Sequence, residues 1–574
     1  MNSKNIFLSV VSIIVILIIQ RCGGKVVQNP ADMILVNGVI ATLDEANPAA
    51  EAVAVKGGKI FAIGTTEEIE NFKGDSTEVI DLGGKFVMPG FNDSHAHFLG
   101  IGNSKQILDL RGANNWDEVI AIVAKAVDNS KPGDWIIGRG WHQEKFNPKP
   151  NPNVNGYPVH SELSKASPNN PVMLTHASGH AVFANSKAMQ LGGVNRETKN
   201  PDGGTIVRDS LGNAIGVFEE NAENLIRKSY DEFLAKRSPE QIQANYEEQV
   251  RLASEDCLKK GITSCADAGH TFDVIDVIKK LADEKKLGVR LNIMVGDSLV
   301  NMKKKLKDYF LVGYADNFLT VRSIKQYIDG ALGSRGAWLL EPYSDLPDHV
   351  GSNVTPLDEL KKISELAIAE GFQMRIHAIG DRGNREVLNI YEKVFKGHPD
   401  KKDLRWCIEH AQHLSAQDIP RFAQLGVIAA MQSVHCTSDM GFVAERLGDP
   451  RAEEGAYVWK KLINSGATIC NGTDAPVEDV DPIACFYSAV TRKNAEGKVF
   501  YGDQKMSRLE ALKSYTVNGA YATFEENIKG SIKNGFLADL VVLSNNLLDC
   551  ADDDIPKTKV LYTIVGGKIS YRAK

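Results

Sequence analysis

Apolar residues fall in short runs at both ends of the chain and in a longer strand-and-helix alternation between them. Ile34-Leu35-Val36-Asn37-Gly38-Val39-Ile40 predicts a strand carrying an Asn-Gly turn. Ala52 to Gly64 predicts a hairpin around Gly57-Gly58, and Val79-Ile80-Asp81-Leu82 continues the pattern. Ala538 to Leu543 and Val560 to Ile569 repeat it at the other end. Together the two ends predict one β domain built from residues 30–88 and 528–574, with the rest of the chain inserted.

In the middle, apolar strands alternate with helical stretches. The run Lys85-Phe86-Val87-Met88-Pro89-Gly90 reads as the strand leading to His95. Further strands are predicted at 261–267, 289–295, 321–328, 372–377, 404–410, 427–432 and 467–474. A strand–helix alternation of this length predicts an α/β fold, a (β/α)8 barrel over residues 89–527. A doubly wound open sheet has a similar series, but no Gly-rich phosphate turn follows a first strand. Between the first and second strands lie about 160 residues, far more than a connection requires. Residues of about 100–250 are therefore expected to form an insertion subdomain that carries substrate recognition. Trp141 and Phe218 within it either line an apolar pocket or pack its core.

Composition narrows the class. The 574 residues are 43% hydrophobic, enough for a large core. With 66 basic and 73 acidic residues the formal net charge is −7, which argues against nucleic-acid binding through bulk charge. The 8 cysteines contain no Cys-x-x-Cys pair, so neither a disulfide scaffold nor a zinc finger is indicated. Residues 1–24 differ from the rest. Lys4 precedes an apolar stretch, Ile6 to Ile19, that resembles a secretory signal and is short for a membrane span. Cys22-Gly23-Gly24 resembles a lipoprotein cleavage site, although Gln20 and Arg21 stand where small residues are usual. The expectation is export, with membrane attachment through a lipidated Cys22, against an uncleaved anchor as the alternative.

The predicted strand ends carry the chemistry. His95 and His97 are two apart on a strand and share a face, a pair able to meet one metal ion. Lys325 lies in the fourth strand, His377 ends the fifth, His410 the sixth and Asp474 the eighth. Alone, Lys325 reads as a surface lysine and Asp474 as a helix N-cap before Ala475-Pro476. Jointly, at the strand ends where barrel active sites are built, they predict a metal site. His and carboxylate donors suit a divalent ion, zinc first, with iron, manganese or nickel open. A bound ion lowers the pKa of water to about 7 and polarises a carbonyl. Asp474 is then a candidate general base, and afterwards acid, for hydrolysis by that water.

These motifs, Pro89 to His97, His377-Ala378-Ile379-Gly380-Asp381, Ile408-Glu409-His410-Ala411-Gln412 and Gly472-Thr473-Asp474-Ala475-Pro476, resemble the amidohydrolase superfamily. Lys325 to Arg335 and Gly179 to Ala188 point to its amidohydrolase-3 branch, which includes the N-substituted formamide deformylases. The resemblance implies a barrel with a composite β-sandwich, metal ligands His95, His97, Lys325, His377, His410 and Asp474, and a carboxylated Lys325 bridging two ions. Two divalent ions against the carbamate, Asp474 and a hydroxide leave a net charge of about +1, suited to a developing oxyanion. An unmodified Lys325 beside a single ion is the alternative.

The function expected is hydrolysis of a non-peptide C–N bond in a small molecule, a linear amide or N-substituted formamide. His176 and His180 on the insertion and His435 after the seventh strand are candidate substrate contacts, each with a structural hydrogen bond as the alternative. Arg335 is a candidate clamp for a substrate carboxylate, with a salt bridge at the barrel top as the alternative. The rivals are a cyclic amidase, a deaminase or a lactonase on the same site, and a small-molecule-binding lipoprotein without turnover. Oligomerisation is compatible with the sequence, which does not define the state.

Overall fold

The structure is a computed structural model describing residues 29–574 apart from 178–180 and 202–203. The signal-like segment with Cys22, and the candidate His180, lie outside the described residues. Among the described residues no helix is long and apolar enough to cross a membrane.

The eight-stranded parallel series expected from the alternation is present. We number its strands β1 (Phe91–Ala96), β2 (Ile262–His270), β3 (Arg290–Val295), β4 (Leu319–Tyr327), β5 (Gln373–Ala378), β6 (Cys407–His410), β7 (Ile428–Met431) and β8 (Ile469–Asn471). Neighbours pair in sequence order from β1 to β8, every pair parallel. The series closes into a barrel just past the ends of β1 and β8. There the Asp474 N–H donates to the His95 carbonyl and the His97 N–H to the Ala475 carbonyl, each at 2.8 Å.

Two local readings are corrected. The apolar run Lys85–Gly90 is not the first barrel strand. Phe86–Pro89 pairs antiparallel with Leu540–Leu543 in a six-stranded sheet built from both chain ends. The barrel begins one residue later, after Gly90, where an added Cβ would sit 2.2 Å from Thr263. Only glycine lets the chain pass that close as it leaves one sheet for the other. Likewise, Asn37-Gly38 does not fold a hairpin. Met33–Val36 pairs with Ala52–Lys56 in a four-stranded sheet, whereas Val39–Ala41 pairs with Phe86–Pro89 in the six-stranded one. Asn37, at φ 57°, is the step between sheets. Leu35, Val53 and Val87 from the N-terminal end share one buried core with Leu540, Val542 and Ile564.

Residues Phe98–Ser254 form a compact unit of their own. Its six-stranded sheet covers a core in which Trp141 is fully buried against Trp116 and Phe183. The Trp141 indole donates to the Leu174 carbonyl at 2.8 Å, and Phe218 is buried in a second cluster. Both aromatics therefore pack the interior of this unit.

At the base of the barrel Arg290 of β3 is buried and donates Nε and Nη2 to the two carboxylate oxygens of Asp539, at 2.6 and 3.0 Å. Asp539 also accepts the Gly566 N–H at 2.8 Å, so the pair ties barrel to C-terminal sheet. Removing one partner of a buried pair leaves an uncompensated charge. Asp539→Ala is expected to cost about 3–5 kcal/mol, read as a lowered thermal midpoint. The double variant Arg290→Met/Asp539→Leu should lose less than the single one.

Candidate metal centre

Ring and carboxylate atoms converge where the barrel closes. His95, His410 and Asp474 each offer a ligand-type atom, and these atoms lie within 4.8 Å of one another, all three residues buried. His97 joins through Asp474, with Nε2 3.2 Å from Oδ1. His377 joins through His410, with ring centroids 4.4 Å apart. Lys325, 2% exposed, places Nζ 3.5 Å from Nε2 of His95. All six strand-end candidates are thus brought together. The backbone is unusual at two of them: His410 has φ 73° and Asp474 φ 57°, the left-handed region that non-glycine residues rarely occupy outside sites that hold them there.

The neighbours orient these groups. Glu409 accepts a hydrogen bond from Nδ1 of His95, and its other oxygen takes Arg375 Nε at 2.7 Å. Arg375 in turn donates to the Ser94 carbonyl at 2.9 Å. Burial alone would raise the Glu409 carboxyl, but Arg375 and His95 hold it down at about 2, so it is an acceptor. The His95 proton therefore sits on Nδ1 and the Nε2 lone pair faces the centre. His410 is set in the same way. The Gln432 side-chain N–H donates to the Ala430 carbonyl, which turns its oxygen toward His410 Nδ1 at 2.6 Å. Nε2 of His410 is left as a lone pair.

Burial, assisted by the positive charge of Lys325, pushes His95 down to about 4 and His377 to about 3. Burial also drives His410 well below the usual imidazole range. The three are neutral at neutral pH, the form that ligates metal. Burial brings Lys325 down to about 8. For Asp474, burial opposes ionisation, but the adjacent His97 holds the carboxyl well below its ordinary range.

The donor set fits a cation. Oδ1 of Asp474 is buried and, among the described residues, meets no hydrogen-bond donor in acceptable geometry. It lies 3.5 Å from Nε2 of His95, a second lone pair. Two electron-rich atoms facing each other in a buried site repel unless a positive charge lies between them. Nε2 of His377 is likewise buried without a partner, 3.6 Å from Asp329.

The remaining candidates separate. His435 lies beside the centre, its buried Nε2 3.8 Å from Oδ2 of Asp474. Arg335 forms a two-pronged pair with Asp345, at 2.7 and 3.2 Å, and Asp345 also takes Arg446. His176 belongs to the unit Phe98–Ser254, where its Nε2 lies 3.0 Å from Gln143 Oε1 and its ring abuts Trp141. Sequence reasoning assigned no role to Glu409, Arg375, Gln432 or Asp93. The available signal was charge inside apolar strands: Met374-Arg375-Ile376 and Ile408-Glu409 lie on the adjacent β5 and β6.

Comparison with known proteins gives concordant results. The amidohydrolase family model matches residues 78–571. Protein LONG AFTER FAR-RED 3 of Arabidopsis thaliana is 33% identical over 94% of this chain and 92% of its own length. The N-substituted formamide deformylase of Arthrobacter pascens is 28% identical over 94% and 98%. Among solved structures, a metal-dependent hydrolase from Pyrococcus horikoshii superposes with TM-score 0.73 at 27% identity, covering 91% of this chain and 99% of that one.

Glu409 acts on the centre only through His95 and Arg375. Glu409→Gln is expected to weaken metal affinity by about 10–100-fold, measured by competition with a chelator. Unchanged affinity would show that the tautomer of His95 is set elsewhere.

Proposed function

The chain belongs to the amidohydrolase family of metal-dependent hydrolases, and from that premise we propose that it cleaves a non-peptide C–N bond, in a linear amide or N-substituted formamide. The observation that carries the reading is the convergence of Asp474 Oδ1 and His95 Nε2, two buried ligand-type atoms 3.5 Å apart, with His410 beside them. The deformylase relative, aligned over nearly its whole length, supports the bond class.

His95, His97, His377, His410 and Asp474 would hold two divalent ions, with a carboxylated Lys325 as the sixth ligand. A divalent ion supplies Lewis acidity there, polarising a carbonyl and making hydroxide available near neutral pH. Asp474 starts as a carboxylate and so can accept a proton. It takes one from the attacking water and returns it to the leaving nitrogen, so the amine departs neutral. The neutral imidazoles add no charge of their own, and Glu409 and Gln432 keep their lone pairs aimed inward. His435, whose Nε2 lies 3.8 Å from Oδ2 of Asp474, is the residue we assign to contact with the substrate.

Lys325 requires conversion before it can ligate, because an ammonium has no lone pair. The neutral amine adds to carbon dioxide, forming an N–C bond and releasing one proton, and the product carbamate carries one negative charge. A buried lysine with its Nζ 3.5 Å from Nε2 of His95 is the setting for that change.

Purified protein is expected to hold about two divalent ions per chain, and chelation should abolish hydrolysis of N-acyl and N-formyl amines. Asp474→Asn should retain metal while turnover falls at least ~100-fold. Turnover by metal-free protein would sink the assignment. Reconstitution in buffer stripped of carbon dioxide should leave the metal content below that of protein reconstituted with bicarbonate. Equal content in both would identify Lys325 as an unmodified lysine.

A further inference from the structure

Tyr327 is the last residue of β4, two positions beyond Lys325 and on the same strand face. Its ring is held from two sides. Nζ of Lys325 lies 4.8 Å from the ring centroid, and the His377 ring packs against it at 5.4 Å. The register pairs Tyr327 directly with His377 across β4 and β5. Around it, His95, Lys325, His410 and Asp474 are buried, whereas Tyr327 is 40% exposed. Its hydroxyl makes no hydrogen bond to any described residue. The ring thus lies against Lys325 and His377 of the candidate metal centre, and its hydroxyl is committed to no described residue.

We propose that Tyr327 is a catalytic residue whose hydroxyl donates a hydrogen bond to the carbonyl oxygen of the scissile amide as negative charge develops there. The proposal rests on the C–N hydrolase reading for its substrate. A phenol ionises near pH ~10 and carries its proton at neutral pH, so it is a donor throughout the working range. It transfers no proton and forms no covalent bond. Its contribution is directional: a donor fixed before the reaction needs little reorganisation when charge appears. Placement on a strand rather than a loop suits that role, because β4 and β5 hold the ring on two sides. The hydroxyl also distinguishes this function from plain packing, since an apolar wall would need only the ring.

The test uses the metal-reconstituted full chain and its Tyr327→Phe and Tyr327→Leu variants. Metal content and thermal midpoint should be unchanged in Tyr327→Phe, because the hydroxyl has no protein partner. With N-butylformamide, kcat of Tyr327→Phe should fall about 100–1000-fold while KM stays within about 3-fold of the parent. Methylphosphonate, a tetrahedral oxyanion, should bind Tyr327→Phe about 10–100-fold more weakly by calorimetry. Parental kcat and parental methylphosphonate affinity in Tyr327→Phe would overturn the proposal. So would a normal Tyr327→Phe beside a Tyr327→Leu with raised KM, which would make the ring an apolar wall. Should the parent hydrolyse neither N-butylformamide nor other amides, the C–N reading fails, and the methylphosphonate comparison still decides whether Tyr327 donates to an oxyanion.

Discussion

The centre depends on how the barrel closes. β1 and β8 are the first and last strands of the series and share no ladder of their own, yet His95 and Asp474 must face each other across the gap. Buried Asp93 holds the gap shut. One of its oxygens accepts the N–H groups of His95 and Thr473, both at 3.1 Å, and the other takes the Thr473 hydroxyl at 2.6 Å. With the backbone bonds from Asp474 and His97, the two strand ends are stitched over three successive residues. Burial pushes Asp93 up to about 7, a cost accepted for a carboxylate that bonds both strands at once. The left-handed backbone at Asp474 follows, because the chain turns sharply there to bring its carboxylate back over β1.

A second constraint runs across the barrel. Arg375 on β5, Glu409 on β6 and His95 on β1 form one buried chain of charge-assisted hydrogen bonds. Such a chain is worth little as net stability, since desolvating its ions offsets much of the attraction. Its value is positional. It fixes the proton of His95 on one nitrogen and thereby directs the lone pair of the other. Gln432, just after β7, performs the same service for His410 without charge. Both imidazoles are thus oriented from the side away from the centre, which leaves the inner face for ligation and for substrate. Arg335 is engaged elsewhere, since its pair with Asp345 and Arg446 secures the segment after β4.

The inner face is nearly closed to solvent. Among the described residues named at the centre, His97 and Tyr327 are the most open to solvent, the His97 side chain 36% and Tyr327 40% exposed. A group that must stay rigid and also meet a substrate is best placed there, at the end of a strand and against buried neighbours.

Much of this was legible in the chain because barrel strands are continuous apolar runs and their ends are marked by polar residues. The runs at 289–295, 321–328 and 372–377 predict β3, β4 and β5 within a residue or two. The spacing of His95, His97, Lys325, His377, His410 and Asp474 follows from the same periodicity, so their convergence is a consequence of the fold class. Apolar character says nothing about which sheet a strand joins, and for that reason Phe86–Pro89 and Asn37-Gly38 were misread. Partner choice depends on residues hundreds of positions away, Leu540–Leu543 in the first case. By itself, then, the sequence determined the strands, their order and the ligand-type residues at their ends, because each is a local pattern. Only the tertiary structure decided which ligand-type atoms converge, which carboxylate orients which imidazole, and that the Tyr327 ring lies against Lys325 and His377. Hydrogen-bond partnership is set by distance in space, and no local pattern encodes it.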